Sequence, residues 1–148
     1  MAAAYLLDTG ILLLASRASN AAKVIDAQFG LSASSFRPAV CEVSVGELLA
    51  FANARHWGPR RKAELMKALK SSLILPISHP GVHQRWAEMQ STLQGTGITV
   101  GQNDLWIAAM ASVAGLTVLS TDKDFKHFKA RGLVDAVVVD PKTGSVVP

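Results

Sequence analysis

The sequence predicts an α/β domain built on a mostly parallel sheet. Two features carry that expectation. Short aliphatic or β-branched runs recur along the 148 residues, and stretches with helical spacing separate them. Most of the runs are apolar on both faces, as strands covered on two sides by helices require. With no repeat, low-complexity tract or Pro/Gly/Ser linker, a single domain spanning residues 1–148 is expected, long enough to bury roughly two thirds of its unfolded surface.

Taken in order, YLL (5–7) is the first strand and stops at Asp8. A helix over 20–29 follows the cap-like Ser19. PAVC (38–41) is the second strand, and the next helix, 44–56, opens with S-x-x-E, the capping-box spacing. A helix over 59–70 begins with proline in its first turn and places Leu65, Met66 and Leu69 on one side. SLILPI (72–77) is the third strand, with Pro76 marking its end. Within 79–93, Val82, Trp86, Met89 and Leu93 step at helical spacing. The helix over 103–114 ends at Gly115, a natural C-cap, and leads into LTVLS (116–120). A helix over 122–130 and the strand AVVV (136–139) complete the alternation.

Composition excludes several classes. Hydrophobic residues make up 49% and charged residues 18%, against disorder and for a filled core. The opening MAAAYLLDTGILLLASR lacks a basic residue before its apolar part and is interrupted by Asp8, so it reads as mature protein rather than a secretory signal. No uncharged apolar run approaches the ~18 residues needed to span a bilayer. A soluble protein is expected. The single cysteine, Cys41, excludes an internal disulfide and fits a buried thiol in a reducing cytoplasm.

In an open α/β sheet, ligands bind beyond the carboxyl ends of the strands. Asp8 ends the first strand, and Asp122 and Asp124 follow the fourth. Glu47 and Asp104 fall in the first turns of two predicted helices at the same edge. Each alone has an ordinary role as a turn or cap residue. Together they are five of the chain's eleven acids. Two carboxylates about 4 Å apart repel by roughly 4 kcal/mol at an effective dielectric near 20, so something positive must sit among them. An all-oxygen set without nearby His or Cys selects Mg²⁺ or Mn²⁺ over zinc. His79 and His83 have i,i+4 spacing, but His79 precedes Pro80 and falls outside the helix. Carboxylates loaded with divalent ions suit hydrolysis of a phosphodiester.

Charge points to the same partner. The net charge is +4, and setting the five acids aside leaves fifteen basic against six acidic residues. Arg55, His56, Arg60, Arg61 and Lys62 form one basic cluster around Trp57. Lys123, Lys126, His127, Lys129 and Arg131 form another beside the proposed site. Arg55, Arg60, Arg61, Lys123 and Lys126 are therefore candidate nucleic-acid contacts, while Trp57 reads as helix packing before it reads as a base-stacking platform.

LLDTGILL at the start, S-x-x-ELLA at 44–50, NDLWIAAMA at 103–111 and LTVLSTDKDF at 116–125 resemble, in order, the four acidic motifs of PIN-domain ribonucleases, and the VapC toxins of toxin–antitoxin pairs in particular. The resemblance covers nearly the whole chain. It implies a PIN-like three-layer α/β sandwich with parallel strand order 3-2-1-4-5 and Mg²⁺- or Mn²⁺-dependent endonucleolytic cleavage of RNA. It makes Asp8, Glu47, Asp104 and Asp122 catalytic metal-binding acids, with Asp124 at a fifth acidic position and Thr9 and Ser120 as supporting hydroxyls. A homodimer and a cognate antitoxin partner are implied as well. Gly10, where Ser or Asn is frequent, and Phe51, where Gly is frequent, depart from the pattern without removing an acid. A phosphoacceptor receiver domain would leave Glu47 and Asp104 without a role. The same residues are compatible with a housekeeping RNA-processing PIN enzyme and with a noncatalytic RNA- or protein-binding module.

Overall fold

The computed structural model describes residues 5–17, 19–32 and 37–148. Five strands, β1 (Tyr5–Leu7), β2 (Ala39–Cys41), β3 (Leu73–Leu75), β4 (Thr117–Ser120) and β5 (Ala136–Val138), pair in parallel in the order β3-β2-β1-β4-β5. This is the predicted order. Between them run α1 (Thr9–Ser16), α2 (Asn20–Phe29), α3 (Glu42–Ala54), α4 (Pro59–Lys70), α5 (Val82–Leu93), α6 (Gln102–Ala114) and α7 (Phe125–Ala130).

Successive strand residues point to opposite faces, and here both faces are dry. Leu6, Ala39, Cys41 and Val118 pack with Met89, Leu105, Ile107 and Phe125 of the α5, α6 and α7 side. Leu7 and Leu119 pack with Ile11 and Ile25 of α1 and α2, and Val40 with Leu48, Leu65 and Leu69 of α3 and α4. The result is the three-layer arrangement expected. The exception is the edge strand β3, where Leu73 and Ile74 remain 42% and 41% exposed. Its two-sided apolar pattern promised more cover than the fold provides.

Several boundaries differ from those the sequence predicts, each for a local reason. The segment TGILLLAS was not foreseen as a helix because it has no polar stripe. It is wedged between two core clusters, with Ile11 buried and Leu12 touching both. Helix α3 starts directly from β2, two residues earlier than predicted, with Cys41 at its N-cap and no side-chain cap bond. Ser44 and Glu47 are therefore not a capping box. Ser44 is buried inside the helix, and Glu47 lies in its second turn. Helix α5 begins only after Gly81, held at φ 87°, which leaves His79 outside it. Helix α7 begins at Phe125 rather than 122, because the Asp124 N–H donates to Asp122 Oδ1 at 2.9 Å and closes a turn there.

Trp57 is 9% exposed, with Leu48 and Leu65 in its cluster, the Arg61 guanidinium 3.8 Å above its ring and Phe51 edge-on to it at 5.9 Å. It is packing, as expected, and Phe51 fills the space that a glycine would leave. A cavity of about 390 Å³ opens between α1, α2 and α4, lined mainly by apolar residues such as Ile11, Leu12, Ile25, Leu65 and Leu69. Among the described residues, no helix is long and apolar enough to cross a membrane.

Candidate active site

Parallel pairing brings the ends of β1 and β4 together, with Leu7 opposite Leu119. The ladder runs one residue further, since the Asp8 N–H donates to Leu119 O at 3.0 Å. Asp8 thus leaves the sheet beside Ser120, and its side chain starts α1 by accepting from the Thr9 N–H at 2.7 Å. The Ser120 hydroxyl donates to the other oxygen, Asp8 Oδ2, at 2.6 Å. It also accepts from the Asp122 N–H at 2.9 Å, so one hydroxyl sets two of the acids.

The second support comes from Thr9. Its hydroxyl donates to Glu47 Oε1 at 2.7 Å and lies 3.0 Å from Ser44 Oγ. Two residues read as a helix cap are instead turned toward the start of α1. The role of Ser44 was missed because its spacing to Glu47 fits either reading; only the earlier start of α3 decides between them.

Asp104 enters from the first turn of α6, where Gly101 at the N-cap leaves room for its carboxylate: a β-carbon there would lie 3.2 Å from Asp104 Oδ2. Carboxylate oxygens of Asp104, Asp122 and Asp124 lie within 4.8 Å of one another. Asp8 is 5% exposed, and burial pushes its carboxyl above the ordinary value against the pull of Ser120 and Thr9, with the charges of Glu47 and Asp122 adding to the rise. The Asp104 carboxyl is pushed up to about 8, first by burial, then by the charges of Asp8 and Asp122, a hydrogen bond with Asp122, and Glu47. Among the described residues, no lysine or arginine forms an ion pair with any of these five acids.

Such a set fits a hard divalent cation. Octahedral Mg²⁺ with bonds of ~2.1 Å places adjacent ligand oxygens ~3 Å apart and opposite ones ~4.2 Å apart. The Asp104, Asp122 and Asp124 oxygens are close to that span. The donors are all oxygen, and the uncompensated negative charge that raises the Asp104 carboxyl is what a cation would neutralise.

The basic candidates are less uniform. Lys123 is exposed between Asp122 and Asp124. Lys126 donates to Pro148 O at 2.5 Å, while Lys129 pairs with Asp135 at 3.6 Å. Arg55 lies over the Phe51 ring, Arg60 pairs with Glu64 at 3.7 Å, and Arg61 caps Trp57. Arg60 and Arg61 share a surface hollow with Arg17 at the end of α1, a third arginine that the sequence clusters did not include. The structure brings the acids and their hydroxyls together, and it leaves the arginines in a separate group.

The sequence model of the PIN domain family matches residues 5–131. The chain belongs to the PIN-domain family. The matched span contains every acid of the cluster. No curated protein sequence matches this PIN domain. Among solved structures, it is similar to a chain of VapBC2 from Rickettsia felis bound to a promoter DNA fragment, with TM-score 0.74 and 20% identity, covering 92% of this chain and 97% of that one. VapBC-1 from nontypeable Haemophilus influenzae gives TM-score 0.73 and 20% identity over 92% and 96%. VapBC-5 from Mycobacterium tuberculosis gives 0.65 and 24% over 93% and 98%. At these identities the likeness is one of fold.

Proposed function

We propose that this PIN domain is a Mg²⁺- or Mn²⁺-dependent endoribonuclease acting as the toxin of a toxin–antitoxin pair. The observation that carries the reading is the gathering of five carboxylates from four separate segments at one sheet edge, none of them in an ion pair with a lysine or arginine among the described residues. Asp104, Asp122 and Asp124 would hold a cation directly, with Asp8 and Glu47 completing the acidic wall. When bound, the ion would supply Lewis-acid polarisation of a phosphodiester and lower the pKa of a nearby water.

The chain's own residues prepare that site. Ser120 fixes the Asp8 carboxylate and the Asp122 backbone, and Thr9 fixes Glu47, so the acids meet a substrate without first reorganising. Lys123, at the rim, is placed to meet the RNA backbone, with Lys126 and the arginines Arg55, Arg60 and Arg61 as further contacts.

The toxin reading draws on the likeness to VapBC structures over more than nine tenths of the chain. Its partner is then a cognate antitoxin, for which the apolar cleft between α1, α2 and α4 offers a surface. We take the protein to be a single cytoplasmic domain that assembles as a homodimer.

The deciding experiment incubates purified protein with total RNA in Mg²⁺, in Mn²⁺ and in EDTA. Cleavage with either ion, lost in EDTA and lost in Asp8→Asn, is expected. RNA binding without metal-dependent turnover would overturn the nuclease. Failure of induction to arrest growth, or arrest not relieved by a neighbouring gene product, would return the chain to a processing role.

A further inference from the structure

Ser44, in the first turn of α3, is 0% exposed, at a position where alanine would suit both the helix and the core. A serine in a helix often bonds back to a carbonyl of the preceding turn. Ser16 does so to Leu13 O, and Ser71 and Ser72 do so to Ala68 O. Ser44 does not. Among the described residues its side chain has a single partner, the Thr9 hydroxyl of α1, 3.0 Å away.

The direction of that bond follows from its neighbour. Thr9 Oγ1 also lies 2.7 Å from Glu47 Oε1. A carboxylate only accepts, and a threonine hydroxyl has one proton to give. That proton goes to Glu47, over the shorter, charge-assisted contact. The 3.0 Å contact is then closed by the proton of Ser44, which no water reaches. The opposite order would set oxygen lone pairs against each other at 2.7 Å and strand the Ser44 proton in the core.

We propose that Ser44 is a positioning residue: its hydroxyl donates to Thr9 Oγ1, holds Thr9 in the rotamer that donates to Glu47, and so fixes the Glu47 carboxylate at the acidic edge. Its consequence for catalysis rests on the ribonuclease reading. Without the Ser44 donor, Thr9 is free to visit its three staggered rotamers, of which one reaches Glu47, so rotamer freedom alone removes up to about threefold. Lost polarisation of the second bond by the first adds to that.

The test is a cycle of Ser44→Ala, Thr9→Val and the double variant. Single-turnover cleavage of an RNA oligonucleotide is followed in Mg²⁺, Mn²⁺ affinity by electron paramagnetic resonance without RNA, and Tm in EDTA. Ser44→Ala is expected to slow cleavage about threefold to tenfold and to weaken Mn²⁺ binding about threefold, as loss of a support behind a metal-site acid does. In the Thr9→Val background the same change should cost neither rate nor affinity, because the relay is already cut. There it should raise Tm by more than it does in wild type, since it removes a buried proton left without an acceptor. Ser44→Thr, which keeps the hydroxyl, should recover most of the rate and affinity even where its added methyl lowers Tm.

Wild-type rate and affinity in Ser44→Ala would overturn the proposal. So would equal losses in both backgrounds, or no extra rise in Tm in the double variant, either of which would reduce Ser44 to packing. If wild-type protein binds Mn²⁺ without cutting RNA, the nuclease reading fails while the affinity cycle still decides Ser44. If it neither binds nor cuts, both fall.

Discussion

Replacing Asp104 by asparagine should make the metal-free protein more stable while destroying its activity. In the folded chain the Asp104 carboxyl is pushed from 3.8 to about 8 by burial and by the acids around it. The folded state therefore holds a proton that the unfolded state has lost across the window from about pH 4 to pH 8, and stability falls as pH rises through that window. At ~1.4 kcal/mol per pH unit the ceiling is nearly ~6 kcal/mol, and solvent access with the proton shared with Asp122 reduces it to about 1–3 kcal/mol. Asparagine keeps the shape and cannot ionise. Urea unfolding in EDTA should find the variant within about 0.5 kcal/mol of wild type at about pH 3.5, below the unfolded-state value, and about 1–3 kcal/mol more stable at pH 8.5. Mg²⁺ should then close the gap by stabilising wild type alone. A variant no more stable than wild type at pH 8.5 in EDTA would refute the claim that uncompensated negative charge crowds this edge.

Other consequences are open to direct measurement. The Mg²⁺ concentration giving half-maximal cleavage should fall as pH rises from 6.5 to 8.5, because the cation competes with the proton on Asp104; an unchanged value would separate that carboxyl from the metal. Ser120→Ala leaves the buried Asp8 Oδ2 without its donor and should cost about 1–3 kcal/mol of stability, read by urea unfolding, together with most of the cleavage rate. Thr9→Val releases Glu47 at a partly buried position, so kcat should drop about tenfold or more with Tm changed by only a few degrees, separable by single-turnover kinetics and calorimetry. Trp57→Ala should destabilise by about 3–5 kcal/mol and leave the RNA affinity of the residual folded protein near wild type, because the ring is packing rather than a base platform.

The α/β class, the five strands and the strand-end position of Asp8 are legible in the sequence because they follow from local quantities: apolar runs of strand length, turn residues after them and helical spacing between them. The five acids are legible because strand ends in a parallel sheet share an edge wherever the strands lie in order. What stays hidden locally is who touches whom. S-x-x-E reads equally well as a cap or as two side chains facing another helix, and only the direct passage from β2 into α3 shows that Ser44 and Glu47 meet Thr9, 35 and 38 residues away in sequence. TGILLLAS carries no helical stripe, since a helix wedged between two core clusters needs none. Ser120 joining Asp8 across 112 residues, the rise of the Asp104 carboxyl, and Gly10 leaving room for the Thr121 side chain all arise where separate segments meet. Desolvation, mutual repulsion and van der Waals contact act through space, so they become definite only when the folded chain sets the distances.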